Sequence, residues 1–201
     1  MATLLHIQTS LSGDAGQSVQ LAERYIDQWQ QKHPGGEVIV RDLIAEPVPH
    51  LDVERMAALR APDENPDAAQ QAIIDYADQL LAEVKQADQI VIGVPLYNFG
   101  VPTQLKAYLD HLARAGITFS YTENGPVGLI EGKQVVLLAT RGGMYRDSGA
   151  DFQIPFMKQF LGFIGLTDVD VVYAEGLAMG AQAEQSLSDA RGHVDSLVAA
   201  L

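Results

Sequence analysis

The chain has no cysteine among its 201 residues. That absence removes disulfides, thiolate nucleophiles and thiolate metal sites together, and it fits a reducing compartment. Any redox chemistry must then sit on a bound cofactor. Basic residues are also scarce, with 13 Lys and Arg against 26 Asp and Glu, a formal net charge of -13. A surface so poor in cations does not neutralise phosphates, so neither nucleic acid nor an anionic membrane is an expected partner. The amino-terminal run Ala2–Gln8 lacks a basic start and is too short for a signal peptide or a membrane span. These absences read as a cytoplasmic protein that handles small ligands or protein partners.

Several motifs are missing too. No GxxxxGK(S/T) loop, GxGxxG turn or GxSxG elbow occurs, which removes the usual signatures of a triphosphate loop, a dinucleotide turn and a serine hydrolase. His6, His33, His50, His111 and His193 show no paired ligand spacing, so no metal is expected. Acids such as Asp75, Asp78 and Glu83 lie on amphipathic faces, where solvated charge is the ordinary reading.

What is present is a globular composition, 47% hydrophobic and 19% charged, long enough for one domain over residues 1–201. Apolar runs alternate with amphipathic stretches from end to end. Strands are expected at Thr3–Gln8, Glu37–Asp42, Gln89–Pro95, Gln134–Thr140 and Asp168–Ala174. Helices are expected at Ser18–His33, Pro66–Ala87, Thr103–Arg114, Phe152–Ile164 and Ala183–Ala200. Repeated βα units of this kind predict an α/β, flavodoxin-like three-layer fold with a parallel sheet of order 2-1-3-4-5. Pro47–Pro62 and Phe119–Leu129 read as surface excursions longer than connectors need. Phe152, Phe156, Phe160 and Phe163 recur at helical spacing and read mainly as core packing.

In such sheets ligands bind outside the carboxyl ends of the strands, at the point where strand order reverses. Three segments fall there. Thr9–Ser18 joins the first strand to its helix with hydroxyls, glycines and free N–H groups, which can hold a phosphate without any cation; the alternative is a capped polar turn. Pro95–Lys106 breaks from a β-branched strand into an aromatic, amide-bearing loop. Thr140-Arg141-Gly142-Gly143 follows the fourth strand, and its paired glycines either let backbone donors approach a ligand or serve only as a turn.

Pro95-Leu96-Tyr97-Asn98-Phe99, Thr103-Gln104-Leu105-Lys106, Ala113-Arg114-Ala115-Gly116, Thr118-Phe119, Tyr121–Pro126, Arg141-Gly142-Gly143, Phe160–Gly165 and Ala174-Glu175-Gly176 resemble, in order and spacing, the FMN-dependent NAD(P)H azoreductases of the bacterial flavodoxin-like quinone reductase group. The resemblance implies an enzyme that takes two electrons from NADH or NADPH onto bound FMN and passes them to quinones and aromatic azo compounds by a ping-pong mechanism, as a homodimer. It places FMN phosphate and ribityl contacts on Ser10 and Gly16-Gln17-Ser18, and isoalloxazine contacts on Leu96-Tyr97-Asn98-Phe99 and Thr140-Arg141-Gly142-Gly143. Asn98, Tyr121 and Phe163 shape the substrate space, and no side chain is implied as an obligatory catalytic group. Gly16 and Thr140 stand where the family often has Ser. Arg55, Arg60, Arg141 or Lys158 could supply a pocket for the 2′-phosphate that separates NADPH from NADH. An FMN electron carrier and a phosphoacceptor signalling domain remain alternatives on the same fold.

Overall fold

The computed structural model describes residues 1–60 and 65–201. Its central sheet joins β1 (Thr3–Gln8), β2 (Glu37–Asp42), β3 (Gln89–Pro95), β6 (Gln134–Thr140) and β7 (Asp168–Ala174) in the order β2-β1-β3-β6-β7, all parallel. Counting only these strands, the order is the expected 2-1-3-4-5. Their bounds coincide with the five sequence-predicted strands, because fully buried parallel strands are near-continuous apolar runs that stop sharply at polar punctuation.

Alternation along each strand builds two cores. Leu5, Ile7, Ile90, Ile92, Val135 and Leu137 face one side, against α3 (Ala68–Gln86), α4 (Thr103–Leu112) and α5 (Gln153–Ile164). Leu4, Val91, Val136, Leu138 and Val172 face the other, against α1 (Gln17–Lys32) and α6 (Ala181–Ala199). Successive Cβ atoms point to opposite faces of a sheet, so one strand feeds both cores. The result is the three-layer sandwich that the alternation of the sequence implies.

The two excursions have structure of their own. Within Pro47–Pro62 the segment Val53–Arg60 forms α2; Ala61 and Pro62 lie outside the described residues. Phe119–Leu129 is a β-hairpin of β4 (Phe119–Thr122) and β5 (Gly125–Gly128), antiparallel and separate from the main sheet. The phenylalanine series is not uniformly core: Phe156, Phe160 and Phe163 pack against it, whereas Phe152 is 66% exposed, one residue before α5 begins. No helix among the described residues is long and apolar enough to cross a membrane.

Candidate functional site

Three loops meet at the carboxyl ends of β1, β3 and β6. The first runs from Thr9 to Ser18 through a short 3-10 turn, Gly13–Ala15. Thr9 Oγ1 donates to the Gly93 carbonyl (2.7 Å), fixing the loop's start to β3. The cap position of α1 is Gly16, which has no side chain to cap the helix, and no acid stands in the first turn. Gly16 N donates to Gly13 O (2.9 Å), and the Gly16 carbonyl accepts from Val19 and Gln20. Among the described residues nothing accepts from the Gln17 and Ser18 amides. Free amides at a helix start, with hydroxyls beside them, form an anion site.

Ser10 and Ser18 are both buried at 2% exposure. Ser18 lies against Gly93, where a Cβ would come within 3.3 Å of its Oγ. Gly16 is more tightly constrained: a Cβ there would sit 2.1 Å from Ser10 Oγ. The hydroxyl that the family pattern suggests at position 16 is absent, and the Ser10 hydroxyl occupies that space.

The second loop is a two-residue turn. Tyr97 N donates to Gly100 O (3.3 Å) and Gly100 N to Tyr97 O (3.1 Å), with Asn98 at φ 49° and Phe99 at φ 67°. Positive φ at both central positions is the type I′ pattern. Asn tolerates it, but for a bulky aromatic it costs on the order of 1–2 kcal/mol. Gln153 holds the turn, its Nε2 donating to Pro95 O (2.9 Å) and Gly100 O (3.2 Å). The Tyr97 hydroxyl accepts from Leu11 N (3.0 Å), tying this turn to the first loop.

In the third loop the glycine pair is held by its carbonyls. Arg141 O, Gly142 O and Gly143 O accept from Leu177, Ala178 and Gly176 at 2.9–3.1 Å. The Gly142 and Gly143 amides donate to nothing among the described residues, and the same holds for Asn98 and Phe99. Neither glycine has positive φ, so the turn-only reading does not account for the pair. Gly143 makes a close approach instead: a Cβ there would stand 3.0 Å from the Tyr145 hydroxyl, tighter than ordinary van der Waals contact. The Tyr145 ring in turn meets Phe99 edge-on at 5.8 Å, tying the third loop to the second.

The Arg141 side chain departs from a ligand-binding role. It is fully buried, donating to Asp151 (2.8 Å) and Glu175 (3.1 Å), so its guanidinium is not available to a 2′-phosphate. Only its backbone borders the site. Glu175 Oε1 also accepts from the Tyr145 and Arg146 amides (2.8 and 2.9 Å), so one buried carboxylate shapes the whole loop. Glu175, Asp151 and Gln153 are the positioning residues that sequence reasoning missed. Glu175 lies in a motif carried by the resemblance, and Gln153 is an isolated amide at the start of an apolar helix. Arg55, a second cation considered for the 2′-phosphate, pairs with Asp52.

Leu96 and Thr140 are joined by a backbone bond, Leu96 N to Thr140 O (2.9 Å). Tyr121 and Phe163 stand apart from the loops. Phe119 links them, its ring 5.4 Å from Tyr121 and 4.2 Å from Phe163. No hydrogen bond or ring contact among the described residues joins them to the three loops. The described residues hold no group of three or more His, Asp or Glu placed to bind a metal.

A family model described as flavodoxin-like fold matches residues 2–198. The chain is 51% identical over 200 residues to the FMN-dependent NADH:quinone oxidoreductase of Cellvibrio japonicus (strain Ueda107), spanning 100% of both chains. It is 46% identical over 201 residues to the protein of the same name from Escherichia coli O157:H7, again over 100% of both. Its fold superposes on the crystal structure of an azoreductase from Bacillus anthracis str. Sterne with a TM-score of 0.90 at 28% identity, covering 100% of each. With its sheet order, its three open-amide loops and this full-length likeness, the chain belongs to the flavodoxin-like family and, within it, to the FMN-dependent NADH:quinone oxidoreductase and azoreductase group.

Proposed function

We propose that residues 1–201 form one FMN-binding domain that carries two electrons from NADH to quinones and aromatic azo compounds. The observation that carries this reading is the set of unpaired amides at Gln17, Ser18, Asn98, Phe99, Gly142 and Gly143, on three loops tied to one another at the switch point of the sheet. The residues fit the group: a dianionic phosphate suits the open start of α1 with Ser10 and Ser18, and a planar, electron-rich ring edge suits amides that lack acceptors. Bound there, FMN supplies the two-electron chemistry, which no side chain of a cysteine-free protein provides.

The chain's own share is placement. Ser10 and Gly16-Gln17-Ser18 hold the phosphate. Leu96–Phe99 and Thr140–Gly143 hold the ring and aim donors at the edge where negative charge develops on reduction. Asn98 lies beside the reacting face. NADH is favoured over NADPH by the relatives' names and by the engagement of Arg141 with Asp151 and Glu175.

Tyr121 and Phe163 shape the acceptor space from a second copy of the chain in a homodimer. This accounts for two aromatics the family places at the substrate that do not reach the loops of their own chain. Exposed Leu11, Tyr121, Val127 and Leu129 give that contact apolar surface. The setting is cytoplasmic.

Donor and acceptor share one face, so the oxidised nicotinamide leaves before the acceptor binds. Varying NADH at several fixed quinone concentrations is expected to give parallel double-reciprocal lines. The purified protein should be yellow and bleach on anaerobic NADH titration. Tyr121→Ala and Phe163→Ala should shift the preference among acceptors by about tenfold while FMN stays bound. Intersecting lines, or loss of FMN from both variants with unchanged acceptor preference, would overturn the shared-face reading.

A further inference from the structure

Behind the third loop the buried charges do not cancel. The Arg141 guanidinium lies between Asp151 (2.8 Å) and Glu175 (3.1 Å), and the three side chains are 0%, 13% and 8% exposed. One cation and two carboxylates leave one negative charge in surplus. The loop's other charges, Arg146 and Asp147, are opposite in sign, 3.7 Å apart and 59% and 90% exposed, so water and salt screen them. The first loop differs: its one acid, Asp14, is exposed.

Neither charge compensation nor hydrogen bonding calls for the second acid. Asp151 alone offsets Arg141. Glu175 makes all of its side-chain bonds through Oε1, which accepts from Arg141 and from the Tyr145 and Arg146 amides, while Oε2 takes no hydrogen bond among the described residues. A glutamine oxygen could accept the same three. What the carboxylate adds is charge, and its place is close to the glycine pair: Gly176 N donates to Gly143 O (2.9 Å), and the Tyr145 amide that Glu175 holds lies two residues beyond Gly143. Glu175 Oε1 is thus within about 10 Å of the Gly143 amide.

We propose that Glu175 is a positioning residue that also lowers the reduction potential of bound FMN, its buried charge opposing the negative charge that collects at the ring edge on reduction. This rests on the proposed function, which places that edge against the Gly142 and Gly143 amides. Those amides favour the reduced ring, and the acid behind them offsets part of that preference, so that electrons taken from NADH are passed on readily to a quinone. A unit charge at this range, in a partly buried setting, changes the ratio of affinities for reduced and oxidised FMN by about tenfold, or about 30 mV for a two-electron couple.

The test is the midpoint potential of FMN bound to Glu175→Gln, read by equilibration with a reference dye, beside calorimetric titration of each apoprotein with oxidised FMN. Expected are a rise of about 30 mV and an affinity for oxidised FMN within about threefold of the parent. In stopped flow, reduction by NADH should quicken and reoxidation by quinone should slow, whereas damage to the loop alone would slow both. Glu175→Asp, which keeps the charge and shortens its reach, should weaken FMN without raising the potential. Asp147→Asn, which removes an exposed acid, should leave the potential unchanged. Should Glu175→Gln fail to fold, Asp151→Asn removes the other acid of the cluster and should raise the potential likewise; no rise there overturns the proposal. An unchanged or lowered potential in folded Glu175→Gln, an equal rise in Glu175→Asp or Asp147→Asn, or a slowing of both half-reactions would each overturn it and leave the FMN reading standing. An unaltered protein that takes up no FMN would overturn both.

Discussion

Helices α1 and α3 begin in opposite ways. At α3, Asp67 accepts from Ala69 N and Gln70 N (2.9 and 2.8 Å), while the Gln70 side chain accepts from Asp67 N (3.1 Å), a complete capping box. At α1 the cap position is Gly16, and the Gln17 and Ser18 amides are left open. Both helices pack on the central sheet, so helix formation alone does not require an uncapped end. One terminus is self-contained, and the other has the open amides that the proposed phosphate site needs. A similar contrast divides the two ends of the sheet. The amino end borders a void of about 490 Å³, but there Asp88 Oδ2 accepts from Thr3 N at 2.8 Å and Lys133 donates to the Lys85 and Ala87 carbonyls. Unmatched donors, rather than volume, identify the chemically competent end.

The comparison breaks most sharply at Ser18. Ser18→Asp puts a carboxylate where the proposed function places the phosphate dianion, and a like charge at that range costs about 3 kcal/mol, or roughly a hundredfold in FMN affinity. Calorimetric titration of apoprotein with FMN reads it; unchanged affinity in a folded variant would reassign the open end of α1. Next, Gly143→Val forces a branched side chain onto the Tyr145 ring and is expected to weaken FMN by roughly thirtyfold. Normal occupancy and normal stopped-flow reduction by NADH would show that the third loop tolerates the intrusion.

A third test concerns β1, which feeds the open loop. His6 is 3% exposed, its Nε2 has no partner among the described residues, and burial lowers its pKa from 6.5 to about 4 despite the nearby Asp42. As pH falls through 6.5 the unfolded chain takes up a proton that the folded chain refuses. Stability present above pH 6.5 is thus lost progressively toward pH 4, by about 2 kcal/mol between pH 6.5 and 5. His6→Gln should flatten that part of the urea-unfolding profile, whereas an unchanged slope would place the proton elsewhere. The smallest effect is expected at the closed terminus. Asp67→Ala should lower stability by about 1 kcal/mol and leave FMN affinity untouched. A change in FMN affinity there would erase the distinction between the two helix starts.

The sequence by itself determined the five strands, their order and the three loops at the switch point. Buried parallel strands are continuous apolar runs, and the connections between them obey few topologies. Helix ends were legible only to within about two residues, because terminal turns are set by capping as well as by periodicity. Tertiary structure alone decided the rest. Helix α2 and the hairpin inside the two excursions are short, and Phe152 lies outside its helix; local pattern does not separate such elements from loops. The sequence placed Arg141 in the site, but only the fold shows its guanidinium turned inward to Asp151 and Glu175, residues distant in the chain or hidden in another motif. Nor does any local signal announce that Phe99 adopts positive φ or that Gln153 holds it there. Which amides remain unpaired depends on every other group brought near them, and so only the assembled fold reveals it.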